Sequence, residues 1–207
     1  MKNKKDLLVQ KIRHFYKCMF NVWFKEIFFI PLSLMLFSIM FISCEILPED
    51  EPLAIGVHYG GGVIFYLDAS AEHGLIVSTR EWDKDWSTNN TNIGNTSTDF
   101  GTGESNTISI VNGIDPDDFC AASVCSIFEN GDGENTFDDW YLPSKDELDL
   151  VYKNLYLLDP TILNMRTTYW SSSESSNNEA WEISFYSGRW YSMTKTSTVG
   201  VRAVRSF

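Results

Sequence analysis

The segment DDWYLPSKDEL, residues 138–148, contains the pattern of a capped helix start. In a capping box the Ser144 hydroxyl accepts a hydrogen bond from the backbone N–H of Glu147, and the Glu147 carboxylate accepts one from the N–H of Ser144. Apolar residues then recur at helical intervals, at Leu148, Val151, Tyr152 and Leu155. The stretch therefore predicts a capped helix that packs its apolar face on a sheet.

Strand patterns lie on both sides of this helix. Upstream, VIFYLD at 63–68 and LIVS at 75–78 flank a short turn that contains glycine, which predicts a hairpin. Downstream, the sequence predicts a short strand at 169–172. A second hairpin is predicted between 181–186 and 189–194, across Ser187-Gly188. These elements indicate a sheet-rich fold with local antiparallel pairing.

The C-terminal run VGVRAVR, residues 199–205, is partly apolar on both sides. Apolar residues on both sides are typical of strands that are buried on both faces, so the run is predicted to be one central strand. Its two arginines, Arg202 and Arg205, would then need acidic or carbonyl partners, because unpaired buried charges are costly.

A polar region between the first hairpin and the capped helix is the natural place for binding groups. From Trp82 to Gly103 the sequence is rich in Asn, Thr, Ser, Asp and Gly, which predicts a long surface loop. Two helices are predicted after it, at 105–111 and 117–128, and either Asp115 or Asp117 could cap the second one.

The N-terminal part has the order of a secretory signal. Residues 1–43 carry seven Lys or Arg against two acidic residues, and the apolar stretch Ile27 to Ile42 is shorter than the ~20 residues that span a bilayer. We therefore predict a signal peptide at 1–43, with Met19 as an alternative start. The alternative is an uncleaved membrane helix from Phe20 to Ile42, which would bury Lys25 and Glu26 in lipid.

Cys44 follows the apolar stretch as in a bacterial lipobox, which predicts a lipidated cysteine. Residues 44–54 then form an acidic, proline-flanked tether. Acids directly after a lipidated cysteine resemble the surface-export signal of Bacteroidetes-type lipoproteins. We expect the protein to lie in the cell envelope, lipid-anchored to the outer membrane and exposed at the cell surface. It would contact the membrane only through the lipid.

The charge of the chain excludes one class of partner. Its net charge is −12, and beyond residue 43 there are nine basic against 26 acidic residues. Such a body repels phosphate groups, so we expect no nucleic-acid partner.

The order of the motifs resembles a known family, DUF1566, the domain also found at the C-terminus of Legionella collagen-like adhesins (Lcl). Eight segments between residues 55 and 207 carry the resemblance: GGVIFYLD, GLIVS, GTGESNT, AASVC, DDWYLPSKDELDLVYKNL, YWSSSE, AWEISF and VRAVRSF. WYLPSKDEL and GVRAVR are also distantly similar to signatures of formylglycine-generating-enzyme domains. These resemblances imply an α+β, C-type-lectin-like fold for 55–207, with short antiparallel strands, a few flanking helices and long loops.

Catalytic signatures are absent from the sequence. A formylglycine-generating site needs a cysteine pair near the C-terminal end, and no cysteine follows Cys125. There is no HExxH or GxSxG motif, and we interpret His58 and His73 as ordinary histidines at strand ends. We expect a protein that is not an enzyme and has no cofactor.

Two smaller questions concern metal and cysteine chemistry. The acidic side chains Asp132, Glu134 and Asp138 offer hard oxygens on a glycine-containing loop, which leaves a structural calcium ion open beside the simpler interpretation of a solvated turn. Five residues along a regular helix turn Cys120 and Cys125 well apart, so we expect two buried thiols and no disulfide.

Aromatic side chains are the predicted binding groups. We expect Trp140, Trp170 and Trp181 in the core. The freer aromatic residues lie in the polar loop and the second hairpin, and are Trp82, Trp86, Trp190 and Tyr191. The Lcl resemblance implies adhesion to sulfated glycans, but such ligands require a basic surface, so the acidic charge favours a neutral glycan or a surface protein as partner. The alternatives are a structural module of a cell-envelope assembly and an unrecognised enzyme.

Overall fold

The first of two main sheets is formed by the N-terminal hairpin and the end of the chain. The structure is a computed structural model, and it describes residues 52–133, 135–163 and 168–207. Strands β1 (His58–Tyr59), β2 (Gly62–Leu67), β3 (Gly74–Ser78) and β11 (Val204–Ser206) pair antiparallel in the order β1-β2-β3-β11. The hairpin predicted from 63–68 and 75–78 is confirmed.

The second sheet collects strands that are far apart in the sequence. Its order is β4-β10-β7-β8-β9, with a parallel β10–β7 pair and antiparallel pairing elsewhere. The strands are β4 (Trp82–Asp85), β7 (Thr168–Glu174), β8 (Glu179–Ser184), β9 (Arg189–Thr194) and β10 (Thr198–Val201). The predicted β8–β9 hairpin is confirmed, whereas the first residues of the predicted loop form β4.

The C-terminal run divides between the two sheets, so the prediction of one central strand is wrong. Its first part, β10, lies between β4 and β7, and its last part, β11, is an edge strand on β3. The two parts are separated at Arg202, whose guanidinium donates to the carbonyl oxygens of Ser78 (2.8 Å) and Leu163 (2.9 Å). The predicted carbonyl and acidic partners are thus present, since Arg205 also pairs with Asp139 at 2.9 Å.

Two helices cover one face of the second sheet. Helix α1 spans Gly103–Gly113 and α2 spans Ala121–Ser126. The second helix starts later than predicted, because Cys120 is its N-cap and the Asp115 carboxylate instead accepts from the N–H of Asp117 at 3.0 Å. A small two-stranded ribbon follows, β5 (Asn130–Gly131) with β6 (Thr136–Phe137).

The capped helix is present as predicted and is shorter than its pattern suggests. Helix α3 spans Lys145–Val151, and Tyr152–Tyr156 continue it as a π-helical turn. Its capping box is complete, with the Glu147 carboxylate accepting from the Ser144 N–H at 2.8 Å. Burial raises the pKa of Glu147 although these hydrogen bonds to its carboxylate oppose the change.

The core has two parts, one on each face of the second sheet. One packs α1 and α2 against Trp86, Trp170 and Val199, and the other packs α3 and the first sheet against Tyr169 and Ile183. The result is a mixed α+β fold of mostly antiparallel strands with few helices, as expected. None of the helices within the described residues has the length and apolar character needed to cross a membrane.

Most of the core predictions hold. Trp140 and Trp170 are buried as predicted, but Trp181 is only partly buried, so its assignment to the core is wrong. Cys120 and Cys125 are fully buried free thiols, as expected, and burial raises the pKa of the Cys125 thiol. The predicted signal peptide and Cys44 lie outside the described residues.

Candidate functional site

The four aromatic residues predicted as binding groups do not form one site. Trp86 is the clearest correction, because its side chain is fully buried. Its indole N–H donates to the Ser171 carbonyl at 2.9 Å, and the Lys195 ammonium lies 4.5 Å from its ring centroid. Trp86 directly follows β4, and its side chain packs into the core and does not point outward from the loop.

Trp82 lies on edge strand β4 and is half-buried. Its ring meets Phe128 edge-on, with centroids 4.8 Å apart, and the Arg80 guanidinium lies 5.5 Å from its centroid. One side of the Trp82 indole therefore packs against the core, and only the rest of its surface is open to a ligand.

Trp190 and Tyr191 are neighbours in sequence and point to opposite faces of β9. Trp190 lies opposite Ile183, whereas Tyr191 lies opposite Glu182. Successive strand residues alternate between the two faces of a sheet, so one ligand cannot stack on both rings.

A partly exposed cluster does form on the Trp190 face of the sheet. Trp181 and Ile183 share this face of β8, which places the Trp181 and Trp190 side chains on the same side. The Lys145 ammonium lies 4.0 Å from the Trp181 ring centroid and 5.3 Å from that of Trp190. We call these three side chains, Lys145, Trp181 and Trp190, the Lys145 platform.

The platform is held by regular structure on both sides. Lys145 is the first residue of α3, and its backbone N–H donates to the Ser173 hydroxyl on β7 at 3.1 Å. The two tryptophans lie on the paired strands β8 and β9. Because helix and strands fix its members, the platform is available without rearrangement of a loop.

Polar groups surround the platform. The indole N–H of Trp190 is 3.5 Å from an Asp149 oxygen, and Asp149 also forms an ion pair with Lys153. On the other side the Ser192 hydroxyl donates to the Glu179 carboxylate at 2.6 Å. Carboxylate and hydroxyl oxygens beside two indoles supply acceptors for the hydroxyl groups of a ligand.

Sequence reasoning missed two members of the platform. Trp181 resembles a core residue because it belongs to a predicted strand, and only the register with β9 reveals which face it takes. Lys145 had a partial signal in the sequence, because the residue directly after the predicted N-cap, Ser144, belongs to the first turn of the helix. Its distance from the tryptophans depends on pairing that the sequence does not specify.

The polar loop predicted to carry binding groups is anchored by a buried ion pair. Lys195 is fully buried, and its ammonium donates to the Glu174 carboxylate and to the Thr91 carbonyl at 2.7 Å. The same carboxylate accepts from the N–H groups of Ile93 (2.8 Å) and Gly94 (2.7 Å). The loop after β4 is therefore held to the second sheet.

The acidic loop offers no complete metal site in what the structure describes. Asp132 accepts from the Asn135 N–H at 2.9 Å, Asp138 is exposed, and Glu134 lies outside the described residues. Within residues 52–133, 135–163 and 168–207, no three His, Cys, Asp or Glu side chains converge on a common point. The three-residue calcium site stays a prediction. His58 and His73 both have exposed side chains.

Comparison with solved structures supports the fold. A fimbrial protein from Bacteroides ovatus matches with a TM-score of 0.50 and 17% sequence identity, over 73% of this chain and 48% of that protein. The match thus spans about half of the fimbrial protein, and at this identity the likeness concerns the fold alone. No curated protein matches the chain.

Comparison with family models gives a specific result. The model of the Lcl C-terminal domain matches residues 81–205, from the start of β4 to the middle of β11. The matched region contains the Lys145 platform, the capped helix and the whole second sheet. Since it covers more than half of the sequence, the chain belongs to the Lcl C-terminal domain family.

Proposed function

We propose that this protein is a surface adhesion module that binds a glycan or a surface protein through the Lys145 platform, without catalysis. The observation that carries the proposal is the placement of the Lys145 ammonium over two partly exposed indoles, at 4.0 and 5.3 Å from their centroids. Aromatic side chains with a polar group at one end are typical of binding surfaces that meet both apolar and polar groups.

The chemistry of the platform favours a neutral sugar. The indole surface that the Lys145 ammonium leaves uncovered can accept the apolar C–H face of a pyranose ring, and the Asp149 and Glu179 carboxylates can accept hydrogen bonds from sugar hydroxyls. The chain carries a net charge of −12, which disfavours sulfated glycans even though one lysine belongs to the platform. A neutral glycan therefore fits better than a glycosaminoglycan.

The proposal includes the finer fold and the location expected from the sequence. A C-type-lectin-like arrangement agrees with short antiparallel strands, few helices and long connections, and a lipid anchor at Cys44 would present the domain on the outer membrane. Membership of the Lcl C-terminal domain family and the fold likeness to a fimbrial protein support a role at the cell surface.

A glycan array probed with the full-length chain in mild detergent tests the proposal. Trp181→Ala and Trp190→Ala should each weaken binding at least tenfold, which corresponds to about 1.4 kcal/mol. Tyr186→Ala is the matched control, because Tyr186 is 84% exposed and lies outside the platform, in the turn between β8 and β9. Binding by this variant should equal that of the wild type.

Two results would count against the platform. If both tryptophan variants fold and bind as well as the wild type, the ligand lies elsewhere on the domain. If neither neutral nor acidic glycans bind, the glycan proposal fails. A surface protein as the ligand, or a structural role in a cell-envelope assembly, then becomes the better explanation, and the fimbrial fold neighbour supports the structural role.

A further inference from the structure

Asp118 has a buried oxygen that the protein does not satisfy. The residue is 6% exposed, at the segment that leads into α2. One carboxylate oxygen, Oδ2, accepts from the backbone N–H of Thr88 at 2.9 Å and lies 3.4 Å from the Ser87 hydroxyl. The other, Oδ1, is buried and no donor among the described residues reaches it. Buried carboxylate oxygens normally have partners, so this one requires an explanation.

Asn90 has a second such oxygen in the loop that contacts Asp118. Its side-chain carbonyl oxygen is also buried, and the described part of the chain again supplies no donor to it. The backbone N–H groups on either side, of Asn89 and Thr91, both point to the Ser87 hydroxyl at 3.4 Å. The same hydroxyl lies 3.4 Å from Asp118 Oδ2, so the loop that carries Asn90 contacts Asp118 through Ser87.

The nearby ammonium groups are engaged elsewhere. Lys195 donates to Thr91 O, to Glu174 and to Asn177 O, so its charge is matched by Glu174. The Lys84 ammonium lies 4.5 Å from the centroid of the Phe119 ring. Neither forms an ion pair with Asp118 among the described residues.

We propose that Asp118 Oδ1 and Asn90 Oδ1 bind a calcium ion, together with backbone or water oxygens of the 87–91 loop. Carboxylate and amide oxygens are hard ligands of the kind that Ca²⁺ prefers, and neither residue offers an imidazole or thiolate that would favour zinc. The ion would fix residues 87–91 against the start of α2, where the hydrogen bonds to Ser87 are long. This site is separate from the Asp132, Glu134 and Asp138 loop and from the Lys145 platform.

Terbium luminescence on the full-length chain in mild detergent tests the site. Tb³⁺ replaces Ca²⁺ at oxygen sites and is excited by nearby indoles, here Trp86, which precedes Ser87 in the sequence. We expect Tb³⁺ emission that calcium displaces, and a Tm several degrees higher with calcium than with EDTA. No emission and no calcium-dependent change in Tm up to about 10 mM calcium would overturn the proposal.

Paired variants locate the ion. Asp118→Asn and Asn90→Gly should each weaken calcium binding at least tenfold. Asn90 has a φ of +52°, which glycine adopts without strain, so Asn90→Gly removes the ligand while keeping the backbone and decides the matter if Asp118→Asn does not fold. The exposed neighbour Asp117→Asn should bind as the wild type does. Loss of binding in Asp132→Asn, with binding retained in Asp118→Asn, would instead place calcium in the acidic loop and refute the proposal.

Discussion

Glu182 makes the stability of the domain depend on pH. It is 5% exposed and lies opposite Trp170 in the β7–β8 pair, and desolvation raises the pKa of its carboxyl group. A raised pKa in the folded state means that folding favours the protonated form, so the stability it contributes is full below the ordinary value near 4.5 and is lost as the pH rises through the folded value. Glu182→Gln should therefore raise the Tm at pH 7, and the gain should vanish near pH 4.

The control for this measurement is an exposed glutamate. Glu72 lies in the turn between β2 and β3 with its side chain in solvent. The Glu72→Gln substitution should therefore leave the Tm unchanged at both pH values. Thermal unfolding followed by circular dichroism at pH 4 and pH 7 compares the two variants. A Glu182→Gln gain of equal size at both pH values would mean that the effect comes from packing and not from ionisation.

Individual side chains were the hardest feature to predict from the sequence. Trp190 and Tyr191 are adjacent, yet they lie on opposite faces of β9, and Trp86 is buried although its sequence neighbours are polar. Burial of a single tryptophan depends on which strand pairs with its own and in which register. That information is distant in the sequence, so composition identified the polar region at 82–103 but not the Lys145 platform, which lies outside it on α3, β8 and β9.

At the scale of elements, locally determined structure was predictable and remotely determined structure was not. The α3 capping box needs only Ser144 and Glu147, three residues apart, and both reciprocal bonds are present. The two hairpins likewise depend on short turns. The split of the C-terminal run into β10 and β11 depends on partners more than a hundred residues away, such as Ser78 for Arg202. No local sequence pattern therefore predicts it.

The loop after β4 should lose its order when its buried ion pair is broken. Lys195→Met leaves the Glu174 carboxylate, only 9% exposed, without its cation. Breaking a buried pair in this way typically costs about 3–5 kcal/mol. We expect a loss of that size in urea unfolding, and faster amide hydrogen exchange at Ile93 and Gly94, whose N–H groups donate to Glu174.

An exposed pair in the same domain provides the comparison. In Lys153→Met the lost pair is with Asp149, and the Lys153 side chain is 58% exposed, so the cost should stay below about 1 kcal/mol. The double variant Lys195→Met with Glu174→Gln should recover part of the loss, because no uncompensated buried charge remains. Equal costs for Lys195→Met and Lys153→Met would show that the buried pair does not anchor the loop.

For the whole molecule, the last strands join the two sheets. β10 completes the second sheet between β4 and β7, and β11 extends the first sheet beyond β3. Arg202 lies between them and donates to Ser78 O, Thr79 O, Glu81 and Leu163 O. One guanidinium therefore ties the end of β3, the segment before β4 and the segment before β7 to the C-terminal strands.

Arg202→Lys tests whether this junction stabilises the whole domain. An ammonium group has three donors and cannot reach four acceptors arranged for a planar fork, so at least one charge-assisted bond is lost, at about 1.5–3 kcal/mol. Part of this loss is offset, because the substitution also removes the Arg202 Nε–H, a buried donor that has no acceptor among the described residues. Urea unfolding measures it, with exposed Arg189→Lys as a control that should not change the unfolding free energy. If Arg202→Lys lowers the stability of only one sheet in hydrogen exchange, the two sheets unfold separately; a uniform loss across both means that the C-terminal strands make them one cooperative unit.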